Sequence, residues 1–216
     1  MAHTYGIQPV NEETLDLAVS LIRSGEIVVI PTDTVYGVVA DPTQADAVEK
    51  IFQAKHRPHE KSVQILAARL DDTEKFGVVI PPALTPVAQK FMPGAISIIA
   101  TIDENMRTSK LCTVREEADG FLTQAVRLPD NPASLKILST TGPLAASSAN
   151  LSGHISPTTA QESYDQLGDS VSLYIDGGAT PGPVASTVVA WDAQTSQPVF
   201  LREGAIHSDA IRSVLA

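Results

Sequence analysis

A series of short apolar runs, each cut off by proline, glycine or a polar turn, limits what this chain can fold into. The first, Glu26-Ile27-Val28-Val29-Ile30, stops at Pro31. Others follow at 62–67, 95–100, 124–128, 171–175, 186–189 and 198–202. They have the length and β-branched content of buried strands and are too short for helices. Helical periodicity falls between only some of them. A helix over 12–24 takes Asn11 as its cap, sets Leu15, Ala18, Val19 and Ile22 on one face and ends before Gly25. Further helices are expected over 44–54, over 84–91, over 131–138 with Pro132 at the first position, after Thr158 to about 167, and from Ser208. Strands outnumber strand-helix-strand units. The expected architecture is therefore α+β (three-layer α/β), a single mixed twisted β-sheet flanked by helices, rather than a regular doubly wound fold.

The 216 residues are read as one domain, 1–216, long enough to bury roughly 70% of the unfolded surface. With 43% hydrophobic and 19% charged residues the composition is that of a globular chain and not of a disordered one. The single cysteine, Cys112, excludes an internal disulfide and a four-thiolate zinc site, and fits a reducing compartment. Nothing in the sequence reads as a targeting segment or a membrane span, so the expected location is the cytoplasm, with no membrane partner. A formal net charge of −10 argues against a broad nucleic-acid footprint and points to small anions as cargo. Residues 103–120 are polar, charged and without a period, and are expected to be a surface loop able to move.

Against that acidic background, Lys55, Arg57, Lys61, Arg127 and Arg202 sit at or near strand ends or beside glycine and proline. Pro58 biases Arg57 toward an extended backbone, which would aim Lys55 and Arg57 at one ligand. A cation in the last turn of a helix is also favoured by the macrodipole with no ligand at all, and local chemistry leaves these readings evenly balanced. Arg127, inside an apolar strand, implies either a partner carboxylate or a ligand anion. Asp33 and Asp176 at strand ends are explained by turn formation more cheaply than by metal held through ATP. No G-x-x-x-x-G-K-[ST], G-x-G-x-x-G or G-x-S-x-G occurs, and His56 and His59 lack a completing ligand set, so no metal is assigned to protein ligands.

Several ordered blocks carry a resemblance. Ala54-Lys55-His56-Arg57-Pro58 and Ser148-Ala149-Asn150 resemble the K-x-R and S-x-N signature of the YrdC-like threonylcarbamoyl-AMP synthases. Pro31-Thr32-Asp33-Thr34-Val35-Tyr36-Gly37, Ala125-Val126-Arg127-Leu128-Pro129, Ser186-Thr187-Val188-Val189 and the stretch from Leu201 to Ile206 resemble its other blocks. The resemblance covers nearly the whole chain and is to the short, single-domain form. It implies condensation of L-threonine, bicarbonate and ATP to threonylcarbamoyl-AMP and pyrophosphate, with Mg2+ accompanying ATP. The product is destined for a downstream threonylcarbamoyl transferase complex that modifies tRNA, and tRNA itself is an indirect or weak partner. The resemblance also implies site roles: Lys55 and Arg57 as catalytic; Arg57, Lys61, Thr123, Ser148, Asn150, Ser156 and Arg202 toward ATP; and Thr34, Arg127, the Ala146 backbone and Ser186 toward threonine. The sequence departs from the family pattern at Ser62, Ala185, Ala190 and Glu203, and at Leu66, where many members place a threonine-contacting histidine. The competing expectations are a carbamoyl-transfer relative and a non-catalytic RNA-binding module. The cysteine count opposes the first, and the acidity opposes the second.

Overall fold

The computed structural model describes residues 4–106, 110–118 and 120–215. Its first half contains β1 (Ile7–Pro9), α1 (Glu12–Arg23), β2 (Val28–Ile30), β3 (Gly37–Ala40), α2 (Ala45–Lys55), β4 (Gln64–Leu66), α3 (Asp71–Glu74), β5 (Val78–Val79), α4 (Thr85–Phe91) and β6 (Ile96–Ile102). Then come β7 (Arg115–Glu116), β8 (Leu122–Arg127), α5 (Pro132–Thr141), β9 (Leu144–Ser148), α6 (Ala160–Leu167), β10 (Leu173–Asp176), β11 (Thr187–Asp192), β12 (Gln197–Arg202) and α7 (Ser208–Leu215). The strands form one sheet in the order β1-β10-β2-β3-β9-β4-β8-β6-β11-β12, with β5 on β6 and β7 on β8. Pairing is mixed: β10 runs parallel to β2 and β4 to β8, whereas β3 and β9 are antiparallel.

Period-two alternation makes the layers. Val28, Ile30, Val39 and Leu66 pack with Leu15, Ile22, Ile137 and Leu138 of α1 and α5 on one face. Ile27, Val29, Val38 and Ala40 pack with Val48, Ile51 and Leu167 of α2 and α6 on the other. The side chain of Asn11 accepts from the Thr14 amide at 2.8 Å, and that of Asn131 from the Ser134 amide at 3.1 Å, so both helices on the first face begin with filled caps. Beyond β4 the cover changes sides. Ile96, Ile98 and Val189 pack with Leu84, Val87 and Ile211 from the α4 and α7 region, and no described helix lies against the opposite face of β8, β6, β11 and β12. Register places Gln64 beside Ala146, Arg127 beside Leu66, Ala125 beside Ile99, and Val188 between Ser97 and Arg202. Those residues share one face, which α1 and α5 cover at Leu66 and Ala146 and leave bare beyond them.

The expected fold class is what the chain adopts. The expected helices are all present, with α5 running further, to Thr141. Gly37–Ala40 was hidden behind the turn that its glycine suggests, and Leu144–Ser148, expected only as a small-residue stretch, is a central strand between β3 and β4. Residues 103–120 are not simply a surface loop. Arg115–Glu116 pairs with β8, Leu111 is buried, and Thr113 donates to Gln124 at 2.6 Å. Residues 107–109 and 119 lie outside the described residues. No described helix is long and apolar enough to cross a membrane.

Candidate active site

The bare sheet face is the floor of a cavity of about 530 Å³. Four cations reach it from distant parts of the chain: Arg57 and Lys61 from the segment after α2, Arg127 from the end of β8, and Arg202 from the end of β12. Ala146, Ser148 and Ser186 also line it. An inner recess of only about 20 Å³, room for little more than a water, adjoins it and is bordered by Thr32, Gly37, Gln64, Leu66 and Arg127; of the four cations only Arg127 borders it.

Arg127 is almost wholly buried and held in place by neutral and charged acceptors. Its Nη2 meets Asp33 Oδ1 at 2.5 Å, its Nη1 donates to Thr34 Oγ1 at 2.8 Å, and its Nε donates to the Gly94 carbonyl at 3.0 Å. Asp33 Oδ1 also accepts the Asp130 amide at 3.0 Å. Asp33 is thus an ion-pair partner, not only a turn residue. Burial lowers the affinity of Arg127 for its proton and Asp33 opposes this. A guanidinium has five N–H donors, so two remain for a ligand. At the other end, Arg202 Nε donates to the Ser186 carbonyl at 2.9 Å and its Nη2 to Ser186 Oγ at 3.2 Å. Arg57 donates to the Ser62 carbonyl at 2.7 Å, and its buried Nε has no partner among the described residues. Its pKa is lowered by burial and then by Arg202, and that of Arg202 by burial. A cation depressed by a neighbouring cation is short of an anion.

The profile of the Sua5/YciO/YrdC family, described as telomere recombination, matches residues 20–204. The chain belongs to this family. It is 34% identical over 206 residues to the threonylcarbamoyl-AMP synthase of Bacillus subtilis, covering 95% of this chain and 57% of that protein. It superposes on Sua5 of Pyrococcus abyssi complexed with L-threonine with a TM-score of 0.81 at 31% identity, covering 99% of this chain and 61% of that one. The match to YciO of Escherichia coli has a TM-score of 0.78 at 25% identity and covers 95% and 97% of the two chains. The chain therefore spans about three fifths of the first two relatives and nearly all of YciO.

Within this family member the signature splits into two groups. Arg57 and Ser148 line the cavity; Lys55 and Asn150 do not. Lys55 is 1% exposed, and its Nζ donates to the carbonyls of Ser148 and Asn150. The expectation that Lys55 and Arg57 aim at one ligand fails because Lys55 is helical and His56 turns left-handed at φ 47°, which cancels the alternation of an extended segment. The Asn150 amide donates to the Leu151 and His154 carbonyls, at 2.8 and 2.9 Å, and its Oδ1 has no partner among the described residues. Both residues shape the turn after β9. Desolvation, then Arg57 and Lys61, pulls Lys55 down to about 7. A neutral amine still has two N–H groups for the two carbonyls.

Three other expected residues lie outside the main cavity. Thr34 is buried beneath Arg127. Thr123 lines a recess of about 50 Å³ next to the cavity and donates to Glu117 at 2.9 Å. Ser156 sits in a separate surface recess with Pro157, Thr158 and Pro183. Gln64 and Ser97 are the site residues that sequence reasoning missed, and Asp33, read there as a turn residue, is the carboxylate partner of Arg127. The one available signal for Gln64 and Ser97 was a polar residue breaking an apolar strand.

Proposed function

We propose that this chain is a threonylcarbamoyl-AMP synthase, condensing L-threonine, bicarbonate and ATP to threonylcarbamoyl-AMP and pyrophosphate. The observation that carries the reading is the distribution of charge in the cavity: Arg57, Lys61 and Arg202 line its wide part only, whereas Arg127 lines that part and also borders the small recess. A triphosphate needs the former; an amino-acid carboxylate needs the latter. Arg57, Lys61 and Arg202 neutralise the phosphates, with Thr123 and Ser148 at the nucleotide's side. Arg127 takes the carboxylate of threonine, with Ser186 and the Ala146 backbone beside it.

Bicarbonate gives carbon dioxide and hydroxide; the threonine amine attacks the carbon dioxide, and the proton it loses joins the hydroxide as water, leaving a carbamate. A carbamate oxygen then attacks the α-phosphorus of ATP, and the bond to the β-phosphate oxygen breaks to release pyrophosphate. The protein supplies orientation and fixed positive charge where negative charge collects. Lys55 and Asn150 act by fixing the turn that presents Ser148, and Thr34 by holding Arg127. ATP arrives as its magnesium chelate, ligated by phosphates and water. This fits a site whose aspartate, Asp33, is committed to Arg127. Residues 1–216 act as one YrdC-like domain in the cytoplasm, and the labile product passes to a threonylcarbamoyl transferase complex acting on tRNA.

Pyrophosphate release, measured with ATP, bicarbonate and L-threonine and with each omitted in turn, tests the reading. Release should require all three and should vanish in Arg57→Ala with the fold intact. Release indifferent to threonine would remove the proposal.

A further inference from the structure

Gln64 opens β4 on the bare face and borders both the outer cavity and the inner recess. Its amide is oriented by a directed chain of hydrogen bonds. Arg202 can only donate, and it does so to Ser186 Oγ at 3.2 Å. Ser186 Oγ lies 2.9 Å from Ser97 Oγ, and Ser97 donates to Gln64 Oε1 at 2.7 Å. The chain runs from guanidinium through two hydroxyls to the amide oxygen. The Nε2 of Gln64 is left with no hydrogen-bond partner among the described residues. A packing role explains a polar residue tied to fully buried Ser97. It explains the oxygen and leaves the nitrogen unused. Leu66, two residues along on the same face, offers no polar atom.

We propose that Gln64 is a substrate-binding residue, its Nε2 donating to the substrate carboxylate that Arg127 holds. The proposal rests on the threonine reading above and adds the second donor to it. Gln64 and Arg127 stand on neighbouring parallel strands, with Leu66 in register with Arg127, and both border the inner recess, which Arg57, Lys61 and Arg202 do not reach. A carboxylate accepts at both oxygens, so it can take the two free N–H groups of Arg127 together with one from a neutral amide. An amide adds this contact without a second charge to desolvate.

Calorimetric titration of the full chain with L-threonine and with L-2-aminobutyrate, which keeps the carboxylate and lacks the hydroxyl, tests it. Gln64→Leu should weaken both amino acids by about tenfold or more, as expected for a lost hydrogen bond to a charged group. Gln64→Glu should weaken them further, because it puts a like charge beside the carboxylate. Ser97→Ala, which frees the amide to rotate, should weaken both by a smaller factor. The KM for ATP should stay within about twofold in Gln64→Leu. Gln64→Leu binding both ligands as tightly as the wild type would overturn the assignment. So would a loss confined to threonine, which would place the amide on the hydroxyl. Wild-type protein that binds neither amino acid would overturn the threonine reading itself, and Gln64 with it.

Discussion

Lys55 and Arg127 are both buried cations, and the structure resolves them in opposite ways. Arg127 has a carboxylate partner; Lys55 has only carbonyls, with Arg57 and Lys61 as unfavourable neighbours. Because Lys55 is lowered to about 7 in the fold and an unfolded lysine titrates near 10.4, the unfolded chain holds one more proton between those values. Stability from this group therefore rises with pH across that window. Urea denaturation of the wild type and of Lys55→Met, compared at successive pH values, should show the wild type gaining on the variant. The slope should approach ~1 kcal/mol per pH unit above neutrality. The opposite prediction holds for the ion pair: Asp33→Ala strands a buried guanidinium and should cost about 3–5 kcal/mol. Thermal denaturation would measure that loss, and L-threonine binding should fall with it.

At the level of elements, the loop after β12 and the start of β11 are latched together. The Gly204 and Ile206 amides donate to Thr187 Oγ1 at 3.0 and 3.2 Å, and the Ala205 amide to the Ala185 carbonyl at 2.9 Å. A Cβ on Gly204 would overlap the Ala185 carbonyl and the Ser186–Thr187 backbone. Gly204→Ala should therefore cost about 1–3 kcal/mol, seen as a lower Tm, and raise the KM for ATP by displacing Ser186 and Arg202. Helices such as α1 were legible because cap, stripe and stop coincide in Asn11, Leu15 to Ile22 and Gly25. β9 was not, because alanine and serine carry little strand preference and its place is set by β3 and β4 on either side. The cations were legible one by one, yet the turn at His56 that separates Lys55 from Arg57 left no sign in the residue types. Gln64 and Ser97 were illegible for a related reason: their meaning lies in a register between strands, which no local pattern encodes.

For the whole molecule, the contrast is between a net charge of −10 and a cavity lined by Arg57, Lys61, Arg127 and Arg202. Exposed acidic charge is screened within about 10 Å at 0.1 M salt, and only the cavity attracts a polyanion at close range. ATP affinity should fall as sodium chloride is raised, while L-threonine affinity, governed by buried Arg127, should change much less. Calorimetry at two salt concentrations would separate the two. A dependence equal for both ligands would mean the inner recess is as exposed to solvent as the outer part. The sheet order has a further effect during synthesis. β11 inserts beside β6, with Thr187 against Ile96, and Arg202 closes the far wall only after it. A chain still emerging from the ribosome thus displays Arg57 and Arg127 long before it owns Ser186 and Arg202. The wall that carries Ser186 and Arg202 is therefore the last part of the cavity to be made.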